Sequence, residues 1–133
     1  MNWNRVETVE DYWDGPRRGY AFLDGGLVFY NCIWSEADDA YSDQFIVKPI
    51  PSDYLSAVRE HWSIWRRWES AFAAGKTTKE THPALPADIE RNQELRAMLS
   101  LVEESTPDGT QKVTGVFRRL SDEAKSWQVR WIV

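Results

Sequence analysis

Alternating apolar and polar positions predict β-strands in the first third of the chain. Residues 19–23 and 27–34 are rich in β-branched and aromatic side chains, and the Asp-Gly-Gly segment between them favours a tight turn. The second run is apolar on both alternating faces, which indicates a central strand. An acidic loop over residues 35–43 then precedes a third predicted strand at 44–48, which ends where two prolines follow.

Helical periodicity replaces this alternation after the third strand. Ser52 is a candidate N-cap for a helix over residues 53–74, and Gly75 is suited to its C-terminal cap. At about 100° per residue, six apolar side chains of this helix fall within one stripe: Tyr54, Leu55, Val58, Trp62, Trp65 and Phe72. A second helix is predicted over residues 86–104, with an apolar face formed by Ile89, Leu95, Met98, Leu99 and Val102.

Two further strands are predicted over residues 111–120 and 127–133. In the second, Trp127, Val129, Trp131 and Val133 share one side because side chains alternate along a strand. The predicted order is therefore βββααββ, and the predicted fold is α+β, with one antiparallel sheet and two helices packed on one face. No boundary interrupts the pattern, so we expect residues 1–133 to form a single domain.

Length, charge and cysteine content exclude several classes of protein. The chain has 133 residues and a net charge of −5, which gives no electrostatic reason to bind nucleic acid or an anionic membrane. No uncharged apolar run approaches the roughly 18 residues of a membrane span, and no secretory signal pattern is visible. The single cysteine, Cys32, fits a reducing compartment such as the cytoplasm and excludes a cysteine-cluster zinc site. We expect no cofactor.

Eight tryptophans are an unusual number for a chain of this length. Indole rings are large, so a small domain can use them to fill its core, and this interpretation is favoured for most of the eight. Exposed indole faces would instead suit a sugar, which leaves a carbohydrate-binding role open.

An acidic and aromatic segment is the first candidate site. Carboxylates around aromatic anchors can attract and hold a basic partner protein. The predicted partner-binding residues are Trp34, Glu36, Asp38, Asp39, Tyr41 and Asp43. The spacing of an EF-hand is missing, so we expect no metal site here. A solvated loop explains the same residues.

A second candidate site is a ligand pocket beside the long helix. His61 and Glu69 interrupt its apolar stripe, and a buried carboxylate must be paired, hydrogen-bonded or protonated. With Arg17, Trp65 and His82, they would line a pocket between this helix and the sheet. Alternatively, Glu69 pairs with an arginine and His61 donates to a backbone carbonyl. The Thr-rich segment 77–83 could likewise hold a polar ligand or serve only as turns.

Three stretches resemble a group of small bacterial proteins that has no assigned function. They are residues 11–17 (DYWDGPR), 62–69 (WSIWRRWE) and 77–86 (TTKETHPALP). The resemblance implies a bacterial, cytoplasmic protein with a single domain, and it brings no activity, cofactor or site residue.

Two functional hypotheses follow from these patterns. The first is a non-enzymatic protein-binding module of the inhibitor, immunity or adaptor type, which recognises a basic partner through the acidic and aromatic segment. The second is a small-molecule site, enzymatic or not, in the predicted pocket. Pairing of the C-terminal strand with a second copy, which would give a homodimer, stays open.

Overall fold

The computed structural model describes residues 2–121 and 126–133. Over these residues the chain is α+β, as predicted, with a seven-strand antiparallel sheet and two α-helices. The strands are β1 (Asn4–Arg5), β2 (Asp11–Tyr12), β3 (Pro16–Leu23), β4 (Gly26–Ser35), β5 (Ala40–Pro49), β6 (Gln111–Ser121) and β7 (Ser126–Ile132). The helices are α1 (Leu55–Ala73) and α2 (Ile89–Glu104).

The chain divides into two compact units. The sheet unit comprises Met1–Ser52 and Thr106–Val133, and the helical unit comprises Asp53–Ser105. Five strands precede the helices, so the predicted order βββααββ was incomplete. The two strands that it lacks, β1 and β2, have two residues each and are too short to show an alternating pattern. Neither α1 nor α2 has the length and apolar content that crossing a membrane requires.

The N-terminal segment bridges two sides of the sheet. The strand order is β1-β7-β6-β5-β4-β3-β2, with every neighbouring pair antiparallel. Asn4 pairs with Val129 of β7. A few residues later, the amides of Glu7 and Thr8 donate to the carbonyl oxygen of Tyr20 in β3. The sheet therefore curls and has an inner face. β7 lies between β1 and β6, and β1 pairs with Gln128 and Val129 of β7. Pairing of β7 with a second copy stays a prediction.

Thr8 anchors this bridge at a buried position. Its hydroxyl accepts a hydrogen bond from the Tyr20 amide at 2.9 Å, and its carbonyl accepts one from the Tyr30 hydroxyl at 2.7 Å. Burial, followed by the charge of Glu10, raises the pKa of Tyr30, which keeps this hydroxyl a donor. Gly19 passes so close to Thr8 that an added Cβ would collide with the Thr8 carbonyl oxygen.

Aromatic and β-branched side chains fill the inner face of the sheet. The predicted alternation of β7 is confirmed for Val129 and Trp131, which are both buried, but not for Val133, which follows the strand and is exposed. The Trp131 indole N–H donates to the carbonyl oxygen of Phe22 at 2.9 Å, so its polar atom is satisfied within the core. The buried cluster consists of Ala21, Val28, Tyr30, Phe45, Val47, Val113, Val129 and Trp131.

The expectation that most tryptophans are core residues was wrong. Of the eight, only Trp68 and Trp131 are buried, whereas Trp13 is 71% exposed. The others are half-buried or exposed, and several lie under cations. The Arg118 guanidinium carbon, for example, is 4.0 Å from the ring centroid of Trp3. An indole has a large apolar face that can bind a cation at the surface, so its size alone does not predict burial.

Both ends of α1 can be compared with the predicted caps. Ser52 does not cap the helix but begins a 3-10 turn that extends to Tyr54, the residue before α1. The cap predicted at Gly75 is confirmed. Gly75 has a φ of 71°, and its amide donates to the Phe72 carbonyl oxygen at 3.0 Å. This positive φ is accessible to glycine at little cost, so the helix ends here.

The buried face of α1 is rotated by roughly 75° from the predicted stripe, at 100° per residue. Phe72, predicted to be in the stripe, is 47% exposed. Trp62 and Trp65 are half-buried and pack edge-to-face on each other, with ring centroids 5.5 Å apart. The prediction counted both indoles as fully apolar, which shifted the stripe toward them. The buried residues are Ala57, Val58, His61, Ile64 and Trp68.

Ion pairs connect the segments of the helical unit. The Arg91 guanidinium of α2 binds both carboxylate oxygens of Glu60 in α1, at 2.8 and 2.7 Å. Arg67 of α1 binds Asp88, just before α2, through two contacts of 3.1 Å. The start of α2 was predicted three residues too early, because a 3-10 turn occupies Pro86–Asp88. Its buried residues are Asn92, Leu95 and Leu99, a narrower face than predicted.

Candidate functional site

An open cleft of about 420 Å³ lies within the sheet unit, and we call it the mouth. Its apolar lining is mainly aromatic and comes from β2, β5, β6 and β7. The aromatic residues that line it are Tyr12, Tyr41, Phe45, Phe117 and Trp127. The polar side chains are Asp14, Arg17, Ser42 and Asp43. The mouth thus combines flat apolar walls with charges of both signs.

The floor of the mouth depends on the absence of a side chain at Gly115. A Cβ there would lie 2.7 Å from Cζ3 of Trp131 and 2.9 Å from Cδ1 of Phe45. Both rings also pack against Phe117, with centroid distances of 5.7 and 5.4 Å. Glycine at position 115 therefore lets the aromatic cluster of the core continue into the mouth.

A strained turn holds Arg17 at the mouth. Asp14 and Gly15 have φ values of 55° and 130°, and the amide of Trp13 donates to the Gly15 carbonyl oxygen at 3.0 Å. Arg17 Nε donates to the Trp13 carbonyl oxygen at 2.7 Å. Its Nη2 donates to the Asp14 carbonyl oxygen at 3.0 Å. The guanidinium is thus fixed by the turn that precedes it.

The other contacts of Arg17 leave part of its charge available. Its guanidinium carbon lies 4.7 Å from the centroid of the Tyr41 ring, and Nη1 donates to Cys32 Sγ at 3.6 Å. Of the five N–H groups of a guanidinium, three are engaged by the turn and the thiol. Among the described residues, no carboxylate lies within ion-pair distance of Arg17. Two N–H groups can therefore bind a ligand.

Cys32, behind Arg17, is a hydrogen-bond donor. Burial raises the pKa of its thiol, against the opposing effect of the neighbouring Arg17. The protonated Sγ donates to the Ser42 carbonyl oxygen at 3.2 Å. As the sequence predicted, Cys32 lies within a strand, β4.

Asp43 contributes an exposed carboxylate to the mouth. Its Oδ1 accepts a hydrogen bond from Gln44 Nε2 at 3.1 Å. The hydroxyl of Ser42, beside it, donates to the Ile33 carbonyl oxygen at 2.7 Å and accepts from the Gln44 amide at 3.1 Å. Ser42 is thus occupied by the backbone, whereas the carboxylate of Asp43 can take a further donor.

The six residues predicted to bind a partner protein do not form one surface element. Glu36, Asp38 and Asp39 lie on the exposed turn between β4 and β5, which we call the acidic turn. Tyr41 and Asp43 were predicted to be in a loop but belong to β5. They line the mouth instead.

Trp34 connects the acidic turn to the mouth. It is 46% exposed and lies opposite Tyr41 on the neighbouring strand. The two rings meet edge-to-face, with centroids 5.0 Å apart. Within the turn, Asp38 Oδ2 accepts from the Ser35 hydroxyl at 3.1 Å, and Asp39 has a φ of 50°. These two acidic residues therefore also shape the turn.

The residues predicted to line a pocket beside the long helix are divided between the units. Arg17 belongs to the sheet unit, and the other four belong to the helical unit. Glu69 pairs with Arg66 at 3.7 Å, which is the alternative that the sequence left open. The His82 ring meets Trp65 edge-to-face, with centroids 5.6 Å apart.

His61 is a buried residue of α1, with 6% of its surface exposed. Burial, and then the positive charge of Arg96, lowers its pKa, while Glu103 acts in the opposite direction. The imidazole is therefore held in its neutral form in the helical unit.

The Thr-rich segment serves the structure of the helical unit. The Trp68 indole N–H donates to Thr81 Oγ1 at 2.8 Å, and that hydroxyl in turn donates to the Thr78 carbonyl oxygen at 2.8 Å. The His82 ring lies 4.6 Å from the ring of Trp68. These contacts attach the segment to α1 and favour the interpretation as turns.

Of the twelve residues that line the mouth, the sequence pointed to three as functional candidates, Arg17, Tyr41 and Asp43. The nine others were missed, among them Tyr12, Gly115, Phe117 and Trp127. A local signal was present in β6, where Gly115 and Phe117 share a face with the buried Val113. Tyr12 and Trp127 are distant in sequence, but their ring centroids are 6.0 Å apart. Only the curling of the sheet brings these two together, and no local pattern predicts it.

The comparisons add no known relative to this picture. Over the described ranges, no group of three or more His, Cys, Asp or Glu side chains is placed to hold a metal ion. Comparison of the chain with protein-family models, with curated proteins and with solved structures finds no match. The functional argument therefore depends on the geometry of the mouth.

Proposed function

We propose that the sheet unit binds a small organic molecule in the mouth. The observation that carries the proposal is an open cleft of about 420 Å³ with five aromatic rings in its lining. Ligand sites typically have volumes of about 300–1,000 Å³, apolar walls and a few placed polar groups. The fixed guanidinium of Arg17 and the carboxylate of Asp43 are such groups.

The chemistry of the mouth favours binding over catalysis. Ser42, the hydroxyl most suited to nucleophilic attack, is bonded to backbone groups and has no histidine beside it among the lining residues. Cys32 has a raised pKa, and its thiol donates to a carbonyl oxygen. A cleft with preformed walls and no activated nucleophile suits a carrier, sensor or sequestering protein.

The proposed site differs from the predicted pocket beside the long helix. It keeps Arg17 and drops His61, Trp65, Glu69 and His82, because these four lie in the helical unit. A single domain, the packing of both helices on one face of the sheet, and a bacterial and cytoplasmic origin stay predictions.

Replacing Tyr12 by alanine tests the proposal. Its ring lines the mouth and is largely exposed, so the replacement removes part of a wall with little effect on folding. Ligands found by screening a library of small organic molecules should bind Tyr12→Ala about tenfold more weakly, as expected for the loss of one aromatic contact and its buried area. Titration calorimetry measures the affinity.

Trp13→Ala is the matched control for this experiment. Trp13 is the next residue and is more exposed, but its side chain is not part of the lining of the mouth. Its backbone carbonyl, which holds Arg17, is unchanged by the replacement. Ligand affinity should therefore be unaffected. If no library member binds, or if every ligand binds Tyr12→Ala as tightly as the wild-type protein, the mouth is not a small-molecule site.

A second candidate function is recognition of a basic partner protein by the acidic turn, without catalysis. The observation that favours it is the exposure of Trp34 beside Glu36, Asp38 and Asp39, which are all exposed. An aromatic anchor next to carboxylates is a common composition for a protein interface.

Partial charge reversal of the acidic turn tests this second candidate. We choose Glu36→Lys with Asp39→Asn, because Asp38 stabilises the turn and asparagine tolerates the positive φ of Asp39. A partner captured by the wild-type protein should associate about tenfold more slowly with this variant. The control, Glu104→Lys with Asp108→Asn, makes the same change in net charge at exposed sites elsewhere. Equal association rates for the two variants would exclude the acidic turn.

A further inference from the structure

The charges in the mouth are separated and not paired with each other. Arg17 is held by two backbone carbonyls and by the ring of Tyr41, and it keeps two N–H groups for a ligand. Asp43 lies in the same lining, and its described hydrogen bond is to Gln44. The mouth therefore offers one fixed cation, Arg17, and the carboxylates of Asp14 and Asp43 as distinct binding points.

This arrangement discriminates between ligand charges. A purely anionic ligand can bind Arg17 but meets the carboxylates of Asp14 and Asp43, which line the same cleft. A purely cationic ligand can bind Asp43 but meets the guanidinium. Only a molecule with both charges satisfies both groups, and like-charge contacts disfavour the alternatives.

The walls of the mouth add a requirement for shape. Tyr12 and Trp127 pack against each other in a tilted contact, with ring centroids 6.0 Å apart, and Phe117 belongs to the same aromatic lining. Flat rings pack favourably on such surfaces in stacked or edge-to-face geometry. A planar apolar group therefore suits the walls better than a branched aliphatic chain.

We infer that the ligand is a small aromatic zwitterion of the amino-acid class, with its carboxylate on Arg17, its ammonium at Asp43 and its ring against Tyr12, Phe117 and Trp127. The inference rests on the proposed small-molecule function of the mouth. Arg17 acts as a preorganised fork, because the turn at Asp14 and Gly15 fixes its guanidinium before the ligand arrives.

Three probes with the same ring test the charge requirement: L-phenylalanine, 3-phenylpropionate, which has only the carboxylate, and phenethylamine, which has only the ammonium. Titration calorimetry of the 133-residue chain should show L-phenylalanine binding at least about tenfold more tightly than either single-charge probe. Backbone-amide chemical shifts should change around Arg17, Asp43 and Gly115 when it binds.

Two variants assign the charges to their partners. Arg17→Lys keeps the positive charge but removes the planar guanidinium group. It should lower the affinity for L-phenylalanine and for 3-phenylpropionate about tenfold and leave the affinity for phenethylamine unchanged. Asp43→Asn should lower the affinity for L-phenylalanine and for phenethylamine, and it should raise the affinity for 3-phenylpropionate. Arg18→Lys and Asp39→Asn change exposed neighbours outside the lining and are the matched controls. Thermal denaturation of each variant confirms that it is folded.

The possible failures are distinguishable. If the three probes bind with equal affinity, or if Arg17→Lys and Asp43→Asn leave the probe affinities unchanged, the ligand class is wrong. Weaker binding of the probes to Tyr12→Ala would still show that the mouth is a binding site. If none of the probes binds, but a library ligand binds the wild-type protein and binds Tyr12→Ala more weakly, the ligand class is wrong and the mouth is a binding site. If neither probes nor library members bind, both the ligand class and the proposed function are wrong.

Discussion

Gly19→Ala should lower the free energy of unfolding of the sheet unit by about 3 kcal/mol. The new Cβ would collide with the carbonyl oxygen of Thr8, and the Thr8 hydroxyl lies 2.8 Å from the same position. Neither atom can move freely, because the hydroxyl accepts from the Tyr20 amide and the carbonyl accepts from the Tyr30 hydroxyl. The N-terminal segment must therefore separate from β3, which exposes these buried polar groups.

Urea denaturation followed by tryptophan fluorescence measures this effect. Gly26→Ala is the matched control, because its Cβ would meet only the Leu23 carbonyl oxygen at 3.6 Å, an ordinary contact. Alanine at position 26 should change stability by less than about 0.5 kcal/mol. Equal midpoints for the two variants would show that the N-terminal segment does not lie against β3 in solution.

Gly115→Ala should destabilise the sheet unit by about 2 kcal/mol. The sign of this change in stability is informative. At an extended position with free space, replacing glycine by alanine is expected to stabilise a protein by about 0.4–1 kcal/mol, because it reduces the conformational entropy of the unfolded chain. Here the added methyl would lie 2.7 Å from a ring carbon of Trp131 and 2.9 Å from one of Phe45. Both rings are buried and packed, so they cannot rotate away without leaving favourable contacts.

A double-mutant cycle with Phe45→Leu isolates the steric cause. Leucine is smaller than the Phe45 ring, so Gly115→Ala should be less harmful in that background, with a coupling of about 1 kcal/mol. Denaturant midpoints of the four proteins give this coupling. The control is a second cycle that combines Gly115→Ala with Leu120→Ala. Leu120 is exposed and lies on the same strand as Gly115. Additive effects in both cycles would show that the rings do not meet at Gly115.

The strands that the sequence predicted are those with enough residues to alternate. β3, β4, β6 and β7 each contain a predicted run, and their hairpin neighbours follow in chain order. The third predicted strand lies within β5, which begins at Ala40, before the polar residues that suggested a loop. Polar residues at the end of β5 that lines the mouth are compatible with strand pairing, since backbone groups and not side chains make the hydrogen bonds between strands.

Only three residues of the candidate site were predicted from the sequence, and they were not predicted to lie together. Arg17 was assigned to one hypothesis, and Tyr41 and Asp43 to another, yet all three line the mouth. Their proximity depends on long-range strand pairing and on a guanidinium that lies on the Tyr41 ring. Such contacts join residues far apart in the chain, and local periodicity carries no information about them.

His61 in the helical unit shows why the buried face of α1 could not be predicted from hydropathy alone. His61 was counted as an interruption of the apolar face of α1, although it is buried with a lowered pKa. A neutral imidazole can occupy a core position when its surroundings disfavour the charged form. Hydropathy scales assign one value to each residue type, so they cannot express this dependence on protonation state.

The bridge made by the N-terminal segment also sets an order for biosynthesis. Asn4 and Arg5 leave the ribosome early, but their partners in β7 are Val129 and Gln128. This pairing must wait until nearly the whole sheet unit has been translated, while the local hairpin of β3 and β4 can form much sooner. During synthesis, the nascent chain can therefore form the hairpin of β3 and β4 before the sheet can curl, and the mouth is completed only when β7 emerges.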